Sequence, residues 1–354
     1  MDLLSIPVAA FSLLDPLYVA FGWIMRALYD ITGNFGTVII IFTVLLRGLM
    51  IPLGVNQQKS TLKQKALQGE IAEIQRTYPN DKQKQQQLQM ELYKKHGASP
   101  LSGCLPSILQ LVIIWPIFRI IQAPLVHLMG VAKEQIEAMA AYLVTLTNGS
   151  GQPLITEAVQ GRAVMDNMPL VDILNNNAKV LAEVIERGYL QMNQLINLNF
   201  LGLDLSLRPS YQPSVVFGAE TWQSYAPLLV IPLLVVLTTL IQMRVTRLTT
   251  PNRKQTQEDK ERAKVNPARA GQAPEDKSES MMKTMNFIMP VFMLVTTFSL
   301  PASMGLYWII GNIMMIAQSV YIYLFFTKRM ERAMQEQEEQ QHARAAKKTE
   351  SIQA

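Results

Sequence analysis

The chain has 354 residues, of which 49% are hydrophobic and 17% charged, with a formal net charge of +5. Ordinary soluble domains are about 25% charged, and here the deficit is concentrated: Thr284 to Thr327 holds no Asp, Glu, Lys or Arg, and Arg119 is the only formal charge between Leu101 and Ala132. One bilayer crossing needs roughly 20 apolar residues, so a purely soluble protein is excluded, and the long polar segments exclude an all-membrane bundle.

Residues 1–34 place Leu17, Phe21, Ile24, Leu28 and Ile31 among polar neighbours. That pattern predicts an amphipathic helix over Leu17–Thr32, lying in the membrane interface. The first basic residue is Arg26, so no cleaved signal peptide is expected. The first predicted crossing is Phe35–Val55. Residues 56–100 are rich in Gln, Lys and Glu, and Pro79-Asn80-Asp81 interrupts them, which predicts a helical hairpin. Its first arm has only a narrow apolar stripe (Leu62, Leu67, Ile71, Ile74), so mobility is expected.

Leu105–Val126 is the second predicted crossing. Residues 127–224 show helical periodicity over Lys133–Thr147 and Leu170–Leu198, predicting a small helical insertion. Tyr225–Met243 is the third crossing. Residues 244–283 carry Pro251, Pro267 and Pro274 and no apolar run, which predicts a disordered loop. The uncharged stretch must fold back on itself, and Pro301 to Gly305 is its natural break. That gives a fourth crossing at Met285–Leu300 and a fifth at Leu306–Phe326, before a tail of mixed charge, 327–354.

Lys and Arg number eight in 56–100, ten in 244–283 and six in 327–354, against one in 1–34 and five in 127–224. The positive-inside rule puts the three basic segments in the cytoplasm. The predicted fold is an all-α polytopic membrane protein with five transmembrane helices, N-terminus outside and C-terminus inside. An interfacial amphipathic helix and a cytoplasmic helical hairpin complete it, and 127–224 is extracytoplasmic. No internal repeat suggests the inverted halves of a transporter.

Arg47 lies about 12 residues from one end of its predicted crossing and about 8 from the other, roughly 18 and 12 Å along a helix. A charge that deep costs about 3 kcal/mol on insertion scales. No Asp or Glu lies in any predicted crossing, so water, polar side chains or an incoming ligand must solvate it. Thr43, Gln110, Asn312 and Gln318 are candidate polar lining, with Thr238, Thr296 and Ser303 as further contributors. The competing reading is that Arg47 snorkels to the headgroups and that each Ser or Thr only joins helices. Arg119 sits near the outer end of its crossing, where snorkelling is the better reading.

Met282, Met285, Met289 and Met293 recur at helical spacing, with Met304, Met314 and Met315 nearby. Methionine suits surfaces that accept many partners; ordinary packing is the alternative. Catalysis has little to stand on. The lone Cys104 and the scattered His96, His127 and His342 offer no metal or redox set, and no hydrolase or phosphate-loop motif occurs. Gly149-Ser150-Gly151 reads as a flexible turn. No catalytic residue, metal, cofactor or small-molecule substrate is expected. The basic segments suit anionic lipid or RNA, or are simply stop-transfer flanks.

Three motifs together resemble the YidC/Oxa/Alb family of membrane protein insertases. The first is Arg47-Gly-Leu-Met-Ile-Pro-Leu53 with Gln57-Gln58-Lys59-Ser60. The second is Leu92-Tyr93-Lys94-Lys95-His96-Gly97 leading into Ser99-Pro100-Leu101-Ser102-Gly103-Cys104-Leu105-Pro106. The third is Met289-Pro290, then Pro301 to Trp308, Asn312 and Gln318. Phe200-Leu201-Gly202-Leu203-Asp204-Leu205 also fits, whereas 127–197 has no counterpart. The resemblance implies the type lacking the large N-terminal periplasmic β-domain, in the bacterial plasma membrane. It implies five helices around a hydrophilic groove that takes nascent membrane proteins, alone or with the Sec translocon. Arg47 would attract acidic substrate residues, while Met285, Met289, Met293, Tyr307 and Trp308 would contact the substrate's apolar helix. The hairpin would receive substrate, and the basic tail (Lys328, Arg329, Arg332, Arg344, Lys347, Lys348) would help dock ribosomes. An anion-binding transporter or channel is the rival reading, and a ribosome-tethering scaffold a third.

Overall fold

The computed structural model describes residues 8–97, 105–149, 151–219, 221–249 and 290–330, with 288, 332–333 and 336. Regular structure among them is almost wholly helical. The predicted disordered loop beyond Thr249 and most of the tail lie outside the described residues. Two compact units divide the chain. The first comprises Met1–Arg47, Leu109–Thr239 and Met289–Asn312; the second comprises Gly48–Ile108, Leu240–Ile288 and Ile313–Ala354.

In the first unit, α1 (Val8–Thr32) is followed at once by α2 (Phe35–Leu49). Gly33, at φ 63, takes the left-handed turn that ends a helix cheaply only for glycine. Asn34 then caps α2, its Oδ1 accepting the Thr37 N–H at 3.1 Å, a preferred N-cap arrangement. α1 buries Met25 and lays Gly22 against the His127 carbonyl, where any Cβ would collide. Tyr18 stacks on the His127 ring at 5.3 Å. On the opposite face, at helical spacing, Val19, Trp23 and Ile31 are exposed.

α6 (Leu105–Gln122) and α7 (Pro124–His127) are tied to the 127–224 segment by Asn167, which is fully buried. Its N–H donates to the Gln122 carbonyl at 3.1 Å, and its Oδ1 accepts the Leu125 N–H at 3.2 Å. α8 (Lys133–Thr145), α9 (Glu157–Gln160), α10 (Met168–Asn176) and α11 (Ala178–Glu186) follow. Ile136, Met139, Leu143 and Leu174 join the core that also holds Phe35 and Val38 of α2. The periodicity read through Leu170–Leu198 is broken in the structure at Asn177. Its Oδ1 accepts the Val180 N–H at 3.2 Å, starting a new helix. Asparagine offers the backbone an alternative to continuing the old one.

A two-residue hairpin, β1 (Asn199–Phe200) with β2 (Leu203–Asp204), comes next. Leu201 (φ 53) and Gly202 (φ 80) form its turn, both left-handed, as the twist of a tight hairpin requires. Leu201 is the only non-glycine residue at positive φ among the described residues, at a cost of roughly 1 kcal/mol. After α12 (Pro213–Val216), α13 (Trp222–Leu228) leads into α14 (Val230–Thr249). α15 (Pro290–Ser299) and α16 (Ala302–Ile322) follow, and a π turn, Tyr323–Thr327, continues α16.

Among the described residues, two helical stretches are long and apolar enough to cross a membrane, Trp222–Thr249 and Ala302–Met330. α2 with α3 (Ile51–Ala66) makes a third if the pair is one bent span. The predicted Phe35–Val55 crossing is unbroken, whereas in the structure Pro52 has no N–H for the Gly48 carbonyl and its ring crowds that oxygen. Val112–Gln122 and Pro290–Ser299 are shorter apolar helices. α16 begins at Ala302 rather than after Gly305. The Ala302 and Ser303 N–H groups donate to Leu207 and Leu205 carbonyls at 2.8 and 3.0 Å, which satisfies the donors a helix start leaves open.

In the second unit, α4 (Gln68–Thr77) and α5 (Lys82–Lys95) flank the Pro79–Asp81 turn. Asp81 caps α5 by accepting the Lys84 N–H at 2.9 Å. Leu67 and Leu92 are buried, and α3 packs on the π turn.

Asp172 and His127, both outside the crossings, are displaced far from their usual ranges, with opposite consequences. Burial and the neighbouring Asp204 push the Asp172 carboxyl up to about 6, although Asn176 donates to its Oδ1 at 2.7 Å. The folded state therefore holds a proton that the unfolded chain loses near pH 4, and stability falls as pH rises from about 4 to 6. Burial, then Arg119 and Lys133, pull His127 down to about 4, so its contribution falls as pH drops below about 6.5. Asp172→Asn should remove the first effect alone. We expect it to gain on the order of 1 kcal/mol over the parent at neutral pH, allowing for solvent screening. The gain should vanish near pH 4 in thermal unfolding in detergent. A gain independent of pH would refute the assignment.

Candidate functional site

α16 is the helix that carries the polar groups of the first unit, and Gly305 lets it approach a neighbour closely. At Gly305 a Cβ would fall inside the Ile231 Cγ2 of α14. Small residues of this kind are how apolar helices come close enough to share polar groups. One and a half turns on, Gly311 faces α2: the Arg47 Nη2 lies 3.6 Å from where its Cβ would be. Tyr307, one turn before Gly311 and so on the same face, is 3% exposed and interacts electrostatically with Arg47. The next residue, Asn312, turns toward α14, its Nδ2 donating to Thr239 Oγ1 at 2.9 Å and Thr238 Oγ1 at 3.1 Å.

Arg47 lies in the last turn of α2, where the helix dipole is negative and favours a cation. The proline that bends the chain also leaves the Gly48 carbonyl without its usual donor. A guanidinium and a phenol on one side of α16, and an amide with two hydroxyls toward α14, thus lie among apolar helices. Chemically, such a set holds a carboxylate or hydrogen-bonds a polar backbone.

Thr43 is 1% exposed and its hydroxyl donates to the Ile39 carbonyl at 2.6 Å, the back-bond of a helical threonine. The Gln110 side chain, Met285 and Met289 lie outside the described residues. Met293 is half-buried against the core. Trp308 is half-buried, and its indole N–H has no acceptor among the described residues. Gln318 belongs to the second unit, where it packs on Gly54. Sequence reasoning missed Thr239 and Gly311, and it did not place Tyr307 beside Arg47. The spacing of Tyr307 and Gly311, one turn apart on an apolar helix, was the available signal. Among the described residues no group of three or more His, Cys, Asp or Glu could hold a metal ion.

Comparison with known proteins shows the family. Residues 27–330 match the family model described as 60Kd inner membrane protein. A protein of Brucella suis named membrane protein insertase YidC is 39% identical over 106 residues, 30% of this chain and 17% of that one. The protein of that name from Wolinella succinogenes is 41% identical over 106 residues, 30% of this chain and 19% of that one. The one from Fusobacterium nucleatum is 42% identical over 94 residues, 27% of this chain and 46% of that one. The aligned region therefore spans less than half the length of each of these relatives. With the family match running through α2, α14 and α16, the chain belongs to the 60Kd inner membrane protein family, the YidC/Oxa/Alb family of membrane protein insertases.

Proposed function

We propose that the protein inserts and folds nascent membrane proteins in the bacterial plasma membrane, without a chemical step. The reading rests above all on the Arg47 guanidinium set against Tyr307 and Gly311, with the Asn312–Thr238–Thr239 cluster one residue further along α16. In this proposal the chain crosses the bilayer five times, N-terminus outside, and this polar set, with Thr43 and Gln110, belongs to a wet groove open to cytoplasm and lipid. A substrate's polar outer segment enters partway, its acidic residues drawn to Arg47, and water in the groove lowers the desolvation penalty. Its apolar helix then passes Met285, Met289, Met293 and Trp308 into lipid. Burial of that helix in hydrocarbon supplies the driving free energy, roughly 25 cal/mol per Å² of apolar area.

The polar hairpin (56–100) would receive substrate, and the basic tail would help hold the ribosome. Cooperation with the Sec translocon belongs to the same proposal. The test is reconstitution of the purified chain alone into liposomes, followed by synthesis of a small two-span membrane protein. Protease-protected, correctly oriented substrate is the expected result. No insertion above that of empty liposomes, or a solute current carried by anions, would overturn the proposal in favour of a scaffold or a channel respectively.

A further inference from the structure

In the first unit, residues 195–222 lie across the ends of apolar helices. At the start of α2, Phe35 N–H donates to the Asn197 carbonyl at 3.1 Å and Asn34 Nδ2 to the Asn199 carbonyl at 2.7 Å. At the start of α16, Leu205 and Leu207 accept the first two N–H groups. At the end of α15, Phe298 meets Tyr211 edge-to-face at 5.8 Å. Trp222 itself opens the Trp222–Thr249 helix. Irregular backbone is not tolerated facing hydrocarbon, so a loop pinned to these helix ends marks the edge of the apolar slab.

From this loop, large apolar side chains point outward. Leu201 is 88% exposed, Tyr211 75% and Phe217 73%. Leu201 is the more telling because it occupies a left-handed turn position that Asn or Gly fills without strain; the strain is accepted and the leucine is then shown to solvent. The two charged groups described here are turned to partners: Asp204 accepts the Ser206 N–H at 2.9 Å, and Arg208 pairs with Asp166.

We infer that Leu201, Tyr211, Phe217 and Trp222 form an interfacial anchor that sits in the headgroup layer of the bilayer and fixes the depth of α2, α13 and α16. The occupant is lipid, because the patch is continuous with the ends of helices apolar enough to span. Tyr and Trp favour that layer, where an apolar ring and a polar edge are both satisfied. The anchor is independent of the Arg47 proposal and would stand if the groove failed.

The test uses the full chain with Cys104, its only cysteine, changed to serine. Spin labels are attached through Leu201→Cys, Phe217→Cys or the exposed control Gln152→Cys, in phosphatidylethanolamine and phosphatidylglycerol vesicles. At 201 and 217 we expect collisions with oxygen to exceed those with a water-soluble nickel complex, and the reverse at 152. Labels at 201 and 217 that behave like the control would overturn the inference. So would protection from both reagents, which would mean a protein covers the patch. Emission of Trp222, with Trp23, Trp115 and Trp308 changed to phenylalanine, gives an independent reading. Quenching by lipids brominated near the headgroup should exceed quenching by lipids brominated near the chain end, and equal or absent quenching would count against the anchor.

Discussion

Replacing Arg47 by alanine should abolish or severely impair complementation of an insertase-depleted strain, and Arg47→Lys should preserve much more of it. A hydrogen-bonded contact between a guanidinium and a carboxylate contributes about 1.5–3 kcal/mol. If that contact exists only while an acidic segment is passing, its loss appears as a ten- to hundredfold drop in insertion rate. Lysine keeps the charge but gives up the planar fork. The effect should therefore scale with the substrate: large for outer segments rich in Asp and Glu, small for neutral ones. Gly311→Ala serves as a control, because the guanidinium stands 3.6 Å from the new carbon, an ordinary contact. Full activity of the alanine variant on substrates with acidic outer segments would remove Arg47 from the mechanism, without touching the family assignment.

How much of this was legible depends on the kind of signal. The helical class was open to direct reading because long uncharged runs are dictated by the bilayer. The family was open too, because its motifs are local. Arg47 was visible as an anomaly, one cation in an apolar run. Its neighbours were not, because Tyr307 and Gly311 meet it only through tertiary packing, and neither residue type is unusual in an apolar helix. The bend after α2 was missed although Pro52 was plain, because an apolar pattern continues through a bend unchanged. Gly305 was misjudged in the opposite sense. Read along the chain it looked like a helix breaker, whereas in space it is where α14 presses on α16. Asn177 shows the converse, a helix break hidden inside unbroken periodicity.

Gly305 and Gly311 give the sharpest test of that packing, because one helix offers both with opposite surroundings. Glycine in a helix interior costs about 1 kcal/mol relative to alanine. Gly311→Ala should recover much of that and raise the unfolding temperature in detergent. Gly305→Ala should not. Its new carbon would enter the space of Ile231 Cγ2, in a residue 3% exposed whose branched side chain has little rotamer freedom to yield. Overpacking of this kind costs roughly 1–3 kcal/mol, enough to cancel any gain and lower the midpoint. Truncating the partner should then rescue: in the Gly305→Ala, Ile231→Ala double variant the two changes should destabilise less than their sum, because the contact that penalises the first is removed by the second. Equal shifts for the two glycine variants, or strict additivity in the double variant, would show that α14 does not press on α16 at Gly305.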